Sequence, residues 1–225
     1  METSHFSLIK NPLVMKTPFS IEAFFGVFET YNSSVFPLQF LIIAFGIITV
    51  ILLHSGSRYK NTAISYFLAF VWLWIGIVYH LLHFTAINMA AYSFGILFIL
   101  QGLFFILELS RKRLNFLFPG GFAGYTGYFF IWFGLLIYPL ISYFMEGAWS
   151  RTIALGLPCP TTIFTFGLLM LTSRAMPKYL LIIPSIWAVM GTGAAVNFGV
   201  YQDYMMLLSA VVANIYLLRR KRPTK

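Results

Sequence analysis

Seven stretches of the chain, at roughly 37–54, 62–82, 87–109, 122–144, 156–173, 179–196 and 200–218, carry almost no charged residues. A helical bilayer crossing needs about 20 mostly apolar residues, and several of these runs reach that length. An unpaired backbone amide in hydrocarbon costs several kcal/mol, so each run must close its hydrogen bonds within itself as a helix. Composition agrees. The chain is 60% hydrophobic and 9% charged, against about 45–50% apolar and about 25% charged in a soluble domain. Too few polar side chains remain to cover a water-facing surface. The expected fold is an all-α membrane protein, a seven-transmembrane-helix bundle over residues 35–218. The run at 156–173 is short, with Pro158 and Pro160 fixing its start.

Charge then gives an orientation. Arg58 and Lys60 occupy the first loop, Arg111, Lys112 and Arg113 the third, Arg174 and Lys178 the fifth, and residues 219–225 form a basic tail. The second, fourth and sixth loops offer only Arg151, accompanied by Glu146 and Asp203. Lysine and arginine favour the cytoplasmic side. That rule places the C-terminus inside and the N-terminus outside, which needs an odd number of spans. The net charge of +9 is accordingly assigned to anionic lipid of the cytoplasmic leaflet rather than to nucleic acid.

Residues 18–34 read differently. Ile21, Phe24, Phe25, Phe28 and Tyr31 share one helical face, with Glu22 and Glu29 off it and Ser20 placed as N-cap. Such a helix is expected to lie in the outer interface. Residues 1–17 read as an extension without periodicity.

Ionisable and polar groups inside membrane segments are costly and mark function by default. His80 and His83 end the second span, three residues apart. Asn88 follows, Cys159, Thr161 and Thr162 open the fifth span, and Asn197, Gln202 and Asp203 surround the sixth turn. All are expected at the outer end, lining one polar mouth. Gln101 lies deeper, as interhelical hydrogen-bond glue or as a step in a permeation path. Imidazole and thiolate suit a transition metal, so His80, His83 and Cys159 form a candidate ligand set. His-x-x-His is only a fragment of such a site, however, and interfacial histidines bonded to backbone are commoner; no cofactor is assigned. Cys159 at a helix start has the position of a reactive thiol, although its flanking prolines fit a rigid turn better. Glu108 is expected to reach Arg111 or Lys112, three and four residues on. A Gly-x-Ser-x-Gly elbow, His-Glu-x-x-His and a phosphate-binding glycine loop are all missing from the sequence.

Several segments together carry a resemblance. They include Pro18-Phe-Ser-Ile-Glu-Ala-Phe-Phe25, Phe84-Thr-Ala-Ile-Asn88, Leu100-Gln-Gly-Leu103, Gly156-Leu-Pro-Cys-Pro-Thr-Thr-Ile-Phe-Thr165 and Trp187-Ala-x-x-Gly191. On these the chain resembles a family of bacterial multi-pass membrane proteins classed as a domain of unknown function. The resemblance implies a bacterial inner-membrane location and one domain spanning nearly the whole chain from about Met15; it transfers no activity.

The leading functional expectation is a small transporter or permeation protein for a solute or ion, with the outward-facing mouth as its site. The first alternative is an intramembrane metal enzyme acting on lipid, using the histidines with Glu146 or Asp203. The second is a sensor or assembly partner. Oligomerisation is left open.

Overall fold

The computed structural model describes residues 19–173 and 176–220, with Ala194 described by its backbone alone. The expected extension at 1–17 and most of the basic tail fall outside these residues. Each apolar run is helical. A helix α1 (Ile21–Val35) comes first, followed by α2 (Leu38–Leu53), α3 (Lys60–Ala86), α4 (Ala91–Arg111), α5 (Gly121–Glu146), α6 (Pro158–Met170), α7 (Lys178–Phe198) and α8 (Tyr204–Arg219). Among the described residues the β features are two isolated bridges, Phe116 with Thr172 and Leu155 with Leu157.

By length and hydropathy four helices, α3, α4, α5 and α7, can each cross a membrane. The pair α1 and α2 meets the same criterion only jointly, across a bend of 86°. Helices α6 and α8, of 13 and 16 residues, are shorter. Large apolar side chains stand exposed along all the long helices, among them Ile51, Phe70, Ile96, Leu103, Phe129, Leu140, Val189 and Ile215. An exposed apolar surface of this extent suits lipid, not water.

Helix α6 lies within the bundle. All its residues but Cys159 are buried, its three threonines included. It packs between α5 and α8 and also touches α3 and α7. Glycines set the spacing, because a side chain there would collide with the neighbouring backbone. A Cβ added at Gly134 of α5 would lie 2.5 Å from the Pro160 carbonyl oxygen, and one at Gly167 of α6 would lie 2.7 Å from the Gly127 carbonyl. The α3–α4 contact repeats the device, with Gly76 against the Gly95 carbonyl at 2.9 Å. Close backbone approach of this kind is how helices gain van der Waals contact in lipid.

Hydrogen bonds gather the loops into two sets. Asn61 donates to Asn115, Ser173 N–H to the Asn115 carbonyl, Arg220 to the Thr172 carbonyl and Lys178 to the Leu218 carbonyl. These contacts bring the basic loops to one end. At the other, Asn32 donates to the carbonyls of Ser150 and Thr152, and Arg151 binds Glu22 at 2.7 Å and Glu29 at 2.9 Å. Helix α1 is thereby strapped across the end opposite the basic loops. Ser20 caps it, accepting from Ala23 N–H, and Phe24, Phe25, Phe28 and Tyr31 face inward as expected. Ile21 does not: it is exposed.

Glu108 meets Arg111 as expected and also takes a closer partner that the spacing did not point to. Its carboxylate is buried and accepts from Arg113 Nε at 2.8 Å and Nη2 at 2.5 Å, and from the Tyr179 hydroxyl. Arg111, three residues on, forms the looser ion pair with it at 3.8 Å. Lys112 ends α4 in the left-handed conformation, φ 49°, which turns the chain and brings Arg113 back over Glu108. Spacing rules for a continuous helix cannot anticipate that turn.

Candidate functional site

Two long helices change winding within their length. In α3 the segment Ile75–Leu81 is π-helical, and in α5 so is Phe133–Ile137. The second has a visible cause. Pro139 has no N–H to offer Leu135 and its ring crowds that carbonyl, so the turn before it widens. Nothing comparable in sequence marks the first. Wide turns of this type recur at functional sites, and here they deliver Tyr79, His80 and Tyr138 into the core.

Tyr138 donates to Asp203 Oδ1 at 2.5 Å, and the Cys159 thiol donates to Asp203 Oδ2 at 3.5 Å. Asp203 is buried in the turn Tyr201–Asp203 before α8, outside the helical spans. Burial raises its carboxyl above the ordinary carboxylate range, and the hydrogen bonds from Tyr138 and Cys159 work against that rise. Three residues far apart in sequence thus form one buried polar group.

Cys159 also faces a cavity of about 330 Å³. Its walls are mostly aromatic: Phe24 and Phe28 from α1, Tyr79 and Phe84 from α3, Phe94 from α4, Trp187 and Phe198 from α7. Asn88 and Asn197 supply its polar points along with Cys159. This is no polar mouth. It is an aromatic box with a few polar atoms, the usual composition of a small-molecule pocket. Asn197 donates to the Gly193 carbonyl at 2.8 Å while its buried Oδ1 has no partner, and the same holds for Trp187 Nε1.

The expected site residues divide accordingly. Asn88, Cys159 and Asn197 line the cavity, and Asp203 stands behind Cys159. Thr161 lies inside α6, where its hydroxyl accepts from Gly156 N–H at 3.1 Å. Gln101 donates to the Leu180 carbonyl at 3.2 Å, tying α4 to α7. The histidines do not act together. The π turn directs His80 into the rings of Phe98 and Trp187, with centroids at 4.7 and 5.2 Å, whereas His83 turns outward to the Val78 carbonyl at 2.7 Å and Ser34 Oγ at 2.9 Å. The described residues hold no group of three or more His, Cys, Asp or Glu side chains placed for a metal ion. Sequence reasoning missed Tyr79, Tyr138, Trp187 and the phenylalanines, which read as ordinary core.

His80 is fully buried and neither ring nitrogen has a partner. A buried unsatisfied polar atom costs about 1–3 kcal/mol. His80→Phe keeps the ring contacts and removes both orphans, so the unfolding midpoint in detergent should hold or rise by roughly 2–4 °C. A clear fall would show that His80 has a polar partner in the folded protein.

A family model matches residues 21–225, from the first residue of α1 onward. No curated protein and no solved structure matches the chain.

Proposed function

Since that match makes the chain a member of the family of unknown function DUF6064, its role must be read from its own geometry; we propose a seven-pass bacterial inner-membrane protein that binds and transports a small, mostly apolar solute from the outer side. In this reading α2 to α8 are the spans, the basic loops are cytoplasmic and α1 lies in the outer interface. Support for the orientation is the division of loops, with Arg58, Lys112, Arg113, Lys178 and Arg220 on one side and the Arg151 ion pairs with α1 on the other.

One observation carries the binding reading: the aromatic cavity with Cys159 and Asn197 as its polar points. Walls of this kind reward apolar burial at about 25 cal/mol per Å² and accept a single polar group on the ligand. Transport is favoured over static binding by the two π segments beside the site, since transporter sites form where helices depart from regular winding. A lipid-directed metal enzyme fits less well. His83 is held away from Cys159, and Asp203 is already engaged by Tyr138.

Cys159 is the chain's single cysteine, so its modification reports on the cavity directly. In purified full-length protein, methyl methanethiosulfonate should add one group to Cys159, and 2-naphthol should slow that reaction in a saturable way. Gly193 lines the cavity, and a side chain there would meet nothing closer than Asn197 Nδ2 at 3.8 Å. Gly193→Phe should therefore fill the cavity and block both effects in a folded protein. Labelling of Gly193→Phe at the unsubstituted rate, or no protection by 2-naphthol, would sink the binding reading.

A further inference from the structure

A second cleft lies at the opposite end, where the basic loops meet. It encloses about 500 Å³ between the start of α3 and the end of α4. Arg58 and Lys112 bring positive charge to it and Thr62 a hydroxyl, whereas Asn61 and Ser65 on its border are engaged with Asn115, Phe116 and the Asn61 carbonyl. Arg58 is folded over Tyr59, 4.7 Å from the ring centroid, with Nη2 donating to the Tyr59 hydroxyl at 2.6 Å. Glu108 also borders the cleft, but its charge is already met by Arg113. The balance left for a ligand is positive.

An apolar groove flanks α3 on its other side. Along α3, Thr62 and Ser65 border the cleft, while their neighbours Ala63 and Tyr66 border a groove of about 440 Å³ between α2 and α3. Phe45, Ile48, Leu52 and Phe70 complete that groove. Cations beside one hydroxyl, with an apolar groove on the same helix, match one amphipathic ligand.

We propose that this is a binding site for a single anionic phospholipid, its phosphate headgroup between Arg58 and Lys112 and one acyl chain in the α2–α3 groove. The site is independent of the outer cavity and shares with the preceding section only the premise that α2 to α4 stand in a membrane. Basic pockets between spanning helices hold phosphate headgroups on the cytoplasmic side, each cation near the surface adding about 1 kcal/mol.

Native mass spectrometry of the full chain in detergent, with phosphatidylglycerol, phosphatidylcholine or inorganic phosphate added, provides the test. One phosphatidylglycerol should be retained per chain, with little phosphatidylcholine, and phosphate alone should neither bind nor displace it. R58Q/K112Q, two exposed substitutions, should weaken retention by roughly tenfold or more. Ala63→Phe should reduce it through the groove while both cations remain. Equal retention of the two lipids, displacement by inorganic phosphate, or unchanged retention in R58Q/K112Q would each overturn the proposal. Circular dichroism of each variant separates loss of the site from loss of fold, and an intact outer-cavity labelling pattern keeps the two readings apart.

Discussion

Gly134→Ala is expected to destabilise the protein by about 2–3 kcal/mol, and Gly134→Leu to prevent recovery of monodisperse folded protein. The new Cβ would stand 2.5 Å from the Pro160 carbonyl oxygen and 3.0 Å from Phe164 N. Both are backbone atoms of α6, so no side chain can turn aside to relieve the contact, and the two helices must separate. Overpacking by one or two carbons costs about 1–3 kcal/mol where side chains can adjust; here the adjustment moves the central helix. Since α6 touches four other helices, the displacement spreads. Gly26→Ala is the control. That glycine is also helical, but its Cβ would meet nothing within 4 Å, so the substitution should be neutral or stabilise by up to about 1 kcal/mol through helix propensity. Thermal unfolding in one detergent compares the three. Equal midpoints for Gly134→Ala and Gly26→Ala would refute glycine-set spacing.

Much of the helical layout is legible from hydropathy because lipid leaves the backbone few options. The runs at 37–54 and 122–144 foreshadow Leu38–Leu53 and Gly121–Glu146 within a few residues. Hydropathy cannot say what surrounds a helix, however. The run at 156–173 is as apolar as its neighbours, yet α6 is buried in protein while α2 exposes Phe45, Ile48 and Ile51. Apolar protein and apolar lipid select the same residues. Winding is equally hidden, apart from the mark Pro139 leaves on α5, and it is the winding that sends His80 and His83 in different directions.

The site is legible only in its polar half. Cys159, Asn88, Asn197 and Asp203 stand out against an apolar background, and the fold does bring them to one region. Their aromatic surroundings do not stand out, since aromatic residues make up 19% of the chain. Tyr138 becomes visible only through its bond to Asp203, 65 positions away in sequence. Polar residues announce themselves in such a chain, but what they bind is decided by rings that look like packing.

The same logic makes the end that carries the basic loops testable through Glu108. Glu108→Ala should cost about 3 kcal/mol, because breaking a buried ion pair leaves its partner uncompensated. Arg113 and Tyr179 both lose their acceptor, and Arg113, with 38% of its side chain exposed, can recover part of the loss by turning to water. Tyr179 is tied more tightly, packing edge-on against Phe104 at 5.1 Å, so the loss loosens the start of α7 against α4. Glu108→Ala/Arg113→Ala should then cost clearly less than the two single changes combined, which a double-mutant cycle on unfolding midpoints would read as coupling. Additive costs would mean that the carboxylate is held by packing alone. Removing Glu108 also takes the only acidic side chain among the described residues from the border of the basic cleft. Wherever Glu108→Ala still folds, retention of phosphatidylglycerol should therefore strengthen even as stability falls, a pair of opposite shifts that a purely structural carboxylate would not produce.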